Sequence, residues 1–155
     1  MATDPLLEVA DELYFLTPAG FTAARDSRAR ELKAAEPTLA AQVKAFRKPS
    51  VAAWVVNLLV RRETAQVEEM LAVGAALREA QAALDGEELR ALTRQRRQLT
   101  AAVTARARAL AAGAGHRVTE PVAAQVEATL TAAMLDPGAA RAVRSGLLVG
   151  ALAAT

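Results

Sequence analysis

RKPSVAAWVVNLLVRR, running from Arg47 to Arg62, carries the clearest helical signature in the chain. Pro49 and Ser50 read as a helix start. Proline fits the first turn, where an N–H would have no partner anyway, and a serine oxygen accepts an N–H that the helix leaves free. Val51, Trp54, Val55, Leu58 and Leu59 then recur at helical spacing on one face. Val56 and Val60 carry apolar character round the other side, so Asn57 is the only polar residue between Ser50 and Arg61. A helix apolar nearly all round belongs inside a protein. About 50–62 is therefore expected to be the buried central helix of a bundle, roughly 20 Å long at about 1.5 Å per residue. Asn57 reads as a hydrogen-bonded core residue that sets packing register.

The rest of the composition agrees with a helical domain. The chain has 155 residues, enough for one domain with a real core and too few for two. Aromatics are only 3% of it, and the six prolines and eight glycines fall mostly between periodic segments. Nothing alternates with period two for long enough to be a strand, so the expected class is all-α. With no cysteine, disulfides and thiolate metal sites are excluded. Asp4, Glu8, Asp11 and Glu12 stand where a secretory signal would carry positive charge, and Val51–Val60 and Leu147–Ala154 are well short of the roughly 20 residues of a membrane helix. The expectation is a cytoplasmic protein with no membrane partner.

Working outward, residues 1–14 form an N-terminal segment that includes a short packed helix, from about 4 to 16. A second helix runs from about 18 to 35, with Phe21, Arg25, Arg28 and Leu32 on one face. A guanidinium so placed must snorkel to water or find a carboxylate or helix-end carbonyls. A shorter helix ends near Phe46. Its tight corner with 50–62 invites a helix-turn-helix reading, but a recognition helix offers polar groups to base edges and Val51–Val60 offers almost none. Helices at 64–84, through Val67, Met70, Leu71, Leu77 and Leu84, and at 87–112, through Leu89, Leu92, Leu99, Val103 and Leu110, are joined by the Asp85–Gly86 turn. Such a short connection makes them an antiparallel hairpin, with Gly74 a point of close approach. Helices at 120–135 and 137–145 follow. The expected architecture is an antiparallel bundle of about six helices over 15–146, with an apolar tail at 147–155. That tail should dock on the bundle or pair with a neighbour or a helical partner.

Charge is distributed unevenly although the net is only +2. Residues 25–62 carry +6, 63–88 carry −6 and 89–117 carry +7 with no acid. One consequence is simple cancellation of the acidic block against a basic one, and hairpin geometry brings Glu63, Glu68 and Glu69 near the level of Arg106 and Arg108. The other is anion binding. At about 100° per residue, Arg90, Arg94, Arg97 and Arg108 fall within some 60° of one another, opposite Leu92, Leu99 and Leu110. They make a cationic stripe of the kind that meets phosphate backbones, or else a solvated outer face. A second anion-binding candidate is the helix start at Arg47, Lys48 and Ser50, where basic side chains stand beside free N–H groups. The alternative there is that Arg47 and Lys48 neutralise Glu31 or Glu36.

Enzyme signals are poor. The lone histidine, His116, can build neither a two-histidine metal site nor a carboxylate and histidine cluster. None of the three serines lies in a nucleophile elbow. Gly113–His116 ends a helix and lacks the lysine and hydroxyl of a phosphate loop. No catalytic residue, metal or cofactor is expected. Nucleic acid is the favoured ligand, bound through its backbone without sequence preference. A self-association or partner-docking module that uses the 147–155 tail is the alternative, and an enzyme borrowing Arg25 and Asp26 is a distant third.

The series Phe21, Ala23, Ala24, Arg25, Asp26, then Lys44 and Arg47–Leu58 with its RKPSVAAW segment, and later Arg94–Arg97 and Arg144–Gly146, resembles an uncharacterised all-helical protein family of high-GC actinobacteria. The resemblance covers roughly 15–146 and implies no activity and no site residues. Members of that family often continue into long charged C-terminal helices, from which this chain departs with its apolar tail.

Overall fold

The computed structural model describes residues 4–153. Residues 1–3 of the expected N-terminal segment, and 154 and 155 of the expected tail, lie outside the described residues. Within them the fold is all-α, with eight helices: α1 (Pro5–Phe15), α2 (Pro18–Leu32), α3 (Pro37–Lys44), α4 (Val51–Arg62), α5 (Thr64–Ala82), α6 (Gly86–Gly113), α7 (Glu120–Leu135) and α8 (Pro137–Ser145). The eight are the segments marked out one by one along the sequence, two more than the expected bundle of about six. α1, α2, α3, α7 and α8 carry proline in the first turn, and the side chains of Asp4, Ser50, Asp85, Thr119 and Asp136 accept a backbone N–H at the starts of α1, α4, α6, α7 and α8.

α4 is the rod that its sequence implies. Every residue from Ala52 to Val60 is buried, with Trp54 1% exposed. Five other helices, α1, α5, α6, α7 and α8, pack on it. The main apolar cluster joins α4 to α5, α6, α7 and α8, while a second one, built from Val9, Leu13, Tyr14, Phe21 and Val43, ties α1 to α2 and α3. Tyr14 links the two layers by donating its hydroxyl to the Arg47 carbonyl at 2.8 Å. α1 is thus integral to the domain, and so is the tail as far as Leu152, which widens the folded unit beyond 15–146 at both ends.

The tail docks on its own bundle. Asn57 Nδ2 donates to the Leu148 carbonyl and the Leu148 N–H donates to Asn57 Oδ1, both at 2.9 Å. The Ser50 N–H donates to the Val149 carbonyl at 2.8 Å, and the Leu152 N–H to Thr129 Oγ1 at 3.0 Å. Leu148 itself is buried. Docking on the bundle is the first of the alternatives that the tail's composition allows, and Leu148 is the anchor that it buries.

The α5–α6 hairpin forms, with one departure. Leu84 is outside the helix, 89% exposed and in the left-handed region at φ 58°. Leu89, Leu92 and Leu99 are only half-buried, and the fully covered positions of α6 begin at Thr100 and continue through Val103, Thr104, Ala107 and Ala111. α7 ends at Leu135, where Arg78 Nη1 donates to the Met134 carbonyl at 2.7 Å and Thr100 lies against Met134 Sδ. Residues 86–98 of α6 pack on α5 through one side only, with Leu92 partly buried against the main apolar cluster, and their outer face is open to solvent.

Candidate nucleic-acid interface

The open outer face of α6 is where most of the arginine stripe sits. Arg90, Arg94 and Arg97 are exposed on α6, and none has a carboxylate within ion-pair distance among the described residues. Arg108 does not belong with them. Its Nη2 donates at 3.1 Å to both Glu120 Oε1 and the Val118 carbonyl, which fastens the end of α6 to the start of α7. The stripe is therefore three residues long, and the fourth is a local clamp. Arg106 pairs with Glu63 at 3.1 Å across the hairpin seam, the cancellation expected for that end. Glu68 instead meets Arg144 of α8 in a two-bond pair at 2.8 and 3.0 Å.

The helix-start candidate changes more. Arg47 and Lys48 are exposed, and among the described residues neither pairs with Glu31 or Glu36; Glu31 lies 3.8 Å from Arg28 instead. Two of the local N–H groups are already taken, however. The Ser50 N–H goes to Val149 and the Ala53 N–H to Ser50 Oγ at 3.1 Å, while the Ala52 residue next to them is buried. An anion at this corner would meet two mobile cations and little of the directed backbone donation that makes a helix N-terminus a site.

Arg25 and Asp26, the pair considered for an enzyme, serve the packing of α2 on α3. Arg25 Nε donates to Asp26 Oδ1 at 3.0 Å and its Nη1 to the Phe46 carbonyl at 3.0 Å, the helix-end partner its wheel position requires. Lys44 Nζ completes the group at 2.8 Å from Asp26. Hydrogen bonds from Lys44 and then Arg25 hold the Asp26 carboxyl below the usual carboxylate range. A carboxyl whose value is lower in the folded state stabilises fully above its unfolded value, about pH 4, and loses that contribution as pH falls through the folded value. The melting temperature of the native chain is thus expected to fall more steeply below about pH 4 than that of Asp26→Asn, the two curves converging in acid. Thermal melts at a series of pH values measure this, and parallel curves would refute it.

Two elements of this surface escape sequence reasoning. Arg61 gathers α1, α4 and the end of α8: its Nη1 donates to the Gly146 carbonyl at 2.6 Å and to the Asn57 carbonyl at 3.3 Å, and its Nη2 to Asp11 at 2.8 Å. Gly146 has φ 69°, and a Cβ there would stand 2.6 Å from Arg61 Nη1, so the glycine both ends α8 and admits the guanidinium. The glycine after a helix is legible as a C-terminal signal, but nothing marks the arginine it meets. His116, within the connection between α6 and α7, likewise sets its ring 5.4 Å from that of Trp54 at a tilt of 52°, and the buried Trp54 Nε1 has no acceptor among the described residues.

No group of three or more histidine and carboxylate side chains among the described residues is arranged to hold a metal ion. No helix among the described residues is long and apolar enough to cross a membrane. Fold and site together describe an all-helical domain with a basic outer face on α6. Comparison of the chain with protein-family models, curated proteins and solved structures gives no match.

Proposed function

We propose that this protein is a non-catalytic helical binding module that grips the phosphate backbone of nucleic acid through the outer face of α6, without reading sequence. The observation that carries it is that outer face: Arg90, Arg94 and Arg97 lie exposed on the side of α6 turned away from α5, and none has a carboxylate partner among the described residues. From Arg90 to Arg97 is about 10 Å along the axis, and the phosphates of one strand recur every 3.4 Å of duplex, so the stripe spans about three of them. Phosphate contacts position a protein and carry no base information. The exposed surface offers few aromatic side chains for stacking, which favours duplex over unpaired bases.

Three phosphate contacts give an expected log–log salt slope of about −3 for duplex binding, whatever the sequence. Alanine at any one of Arg90, Arg94 or Arg97 is expected to reduce the slope by about 1. Arg108→Ala leaves it unchanged, because that guanidinium is already held by Glu120 and Val118. Fluorescence anisotropy of a labelled duplex across a salt series measures both effects. No binding at low salt, or a slope indifferent to the three arginines, would remove the proposal.

A further inference from the structure

The hairpin turn holds an anomaly that phosphate binding leaves unused. Leu84 occupies the left-handed position that closes α5, with its N–H donating to Gln81 and the next N–H, of Asp85, reaching back to Ala80 at 3.1 Å. Glycine or asparagine normally fills such a position, because a Cβ crowds the carbonyl there. Here the residue is a leucine, strained, 89% exposed, and packed on nothing in its own chain. Around it stand Asp85, Glu87 and Glu88, all exposed and none in an ion pair among the described residues; Arg90, one turn on, is the nearest cation of α6. The tip is thus an apolar knob in an acidic collar.

The counterpart lies in a different layer of the fold. Between α2 and α3 is a groove of about 340 Å³ with a floor of Ala29, Pro37, Ala40 and Ala41. Its rim carries Arg30 and Lys33, exposed and without carboxylate partners among the described residues, together with Lys44, which is shared with Asp26. The groove is an apolar socket whose collar holds three cations and one carboxylate, Asp26. α2 and α3 pack on neither α5 nor α6, so tip and groove face different surroundings.

We propose that the Leu84 tip of one copy docks into the α2–α3 groove of a second copy, Leu84 seating on the alanine floor while Asp85, Glu87 and Glu88 meet Arg30, Lys33 and Lys44. The contact joins two different patches, so it is heterologous: each copy keeps a free tip or a free groove, and association propagates head to tail. The area is small, which makes the interaction weak, with a dissociation constant of roughly 0.1 to 1 mM, and its charged collar makes it sensitive to salt.

Sedimentation of the full chain without nucleic acid, up to about 1 mM and at low salt, tests this. The expected result is a mass that rises with concentration and returns to the monomer as salt is added. Leu84→Gly removes the knob while relieving the backbone strain, so it is expected to fold at least as stably as the native chain yet remain monomeric. Arg30→Glu with Lys33→Glu is also expected to be monomeric, by spoiling the socket. Mixed together, the two variants still hold one intact socket and one intact tip, and are expected to form a 1:1 complex that grows no further. A native chain that stays monomeric throughout, Leu84→Gly associating as the native chain does, or a mixture that stays monomeric would each overturn the proposal.

Discussion

Asn57→Ala is expected to lower the stability of the folded chain by about 3 kcal/mol. The side chain is fully buried, and its amide is the only one in α4. It pairs with both backbone polar groups of Leu148, 91 residues away, in two bonds of 2.9 Å. Truncation leaves a buried N–H and a buried carbonyl without partners, and each such orphan costs about 1–3 kcal/mol. The released tail then exposes Leu148 and uncovers the start of α4, because the Ser50 to Val149 bond depends on the same segment. Two measurements check this: the urea midpoint, and hydrogen exchange at the Leu148 amide, which is expected to become fast in a chain still folded elsewhere. A core truncation such as Val55→Ala is expected to lower the midpoint without that local release. If Asn57→Ala kept a slow Leu148 amide, the amide pair would not be what anchors the tail.

Gly74→Val is expected to be comparably damaging, by about 3 kcal/mol, with Gly74→Ala milder at about 2 kcal/mol. α5 and α7 meet at Gly74, where even a single added Cβ would stand 2.7 Å from the Met134 Cα and its carbonyl oxygen. These are backbone atoms near the end of a helix, so they cannot rotate away as a side-chain tip would. The same carbonyl accepts from Arg78, so pushing α7 outward also stretches that 2.7 Å bond. Alanine favours an isolated helix over glycine by roughly 1 kcal/mol, which offsets part of the penalty. Thermal melts of the two variants, with Gly113→Ala as a control whose added Cβ meets nothing within 4 Å, separate crowding from propensity. A Gly74→Ala chain as stable as the native one would show that the helices part easily.

The charged surface was harder to read than the apolar interior, and Arg108 shows why. On a wheel it belongs with Arg90, Arg94 and Arg97, since one helical period fixes the direction of each side chain. What it touches depends on where α7 begins after the 114–119 connection, and there Glu120 and the Val118 carbonyl capture it. The Arg47 and Lys48 corner depends on a distant segment in the same way. A helix start attracts anions only while its N–H groups are free, and a strand of tail from the far end of the chain covers one of them.

Leu84 marks the same limit in the hairpin. A leucine at the end of a run through Val67, Met70, Leu71 and Leu77 looks like one more core position. Its exposure follows from the end of α5 at Ala82 and the left-handed turn that Leu84 then takes towards α6. Asn57 and Gly74, by contrast, were legible: a single amide in an apolar rod needs a partner, and a single glycine on a packed face marks close approach, whatever the identity of the neighbour.

Apolar periodicity, proline and capping residues by themselves determined that this chain is helical, where its helices begin, and that Val51–Val60 is buried. Those are properties of one segment against water, and each segment carries them in its own composition. Only the tertiary structure decided that the tail closes over α4, that Arg61 gathers three helices, and that Arg90, Arg94, Arg97 and Leu84 stay in solvent while Arg108 is captured. These depend on lengths and registers of elements far apart in the chain, where a hydrogen bond or ion pair forms only if both partners arrive at the same level.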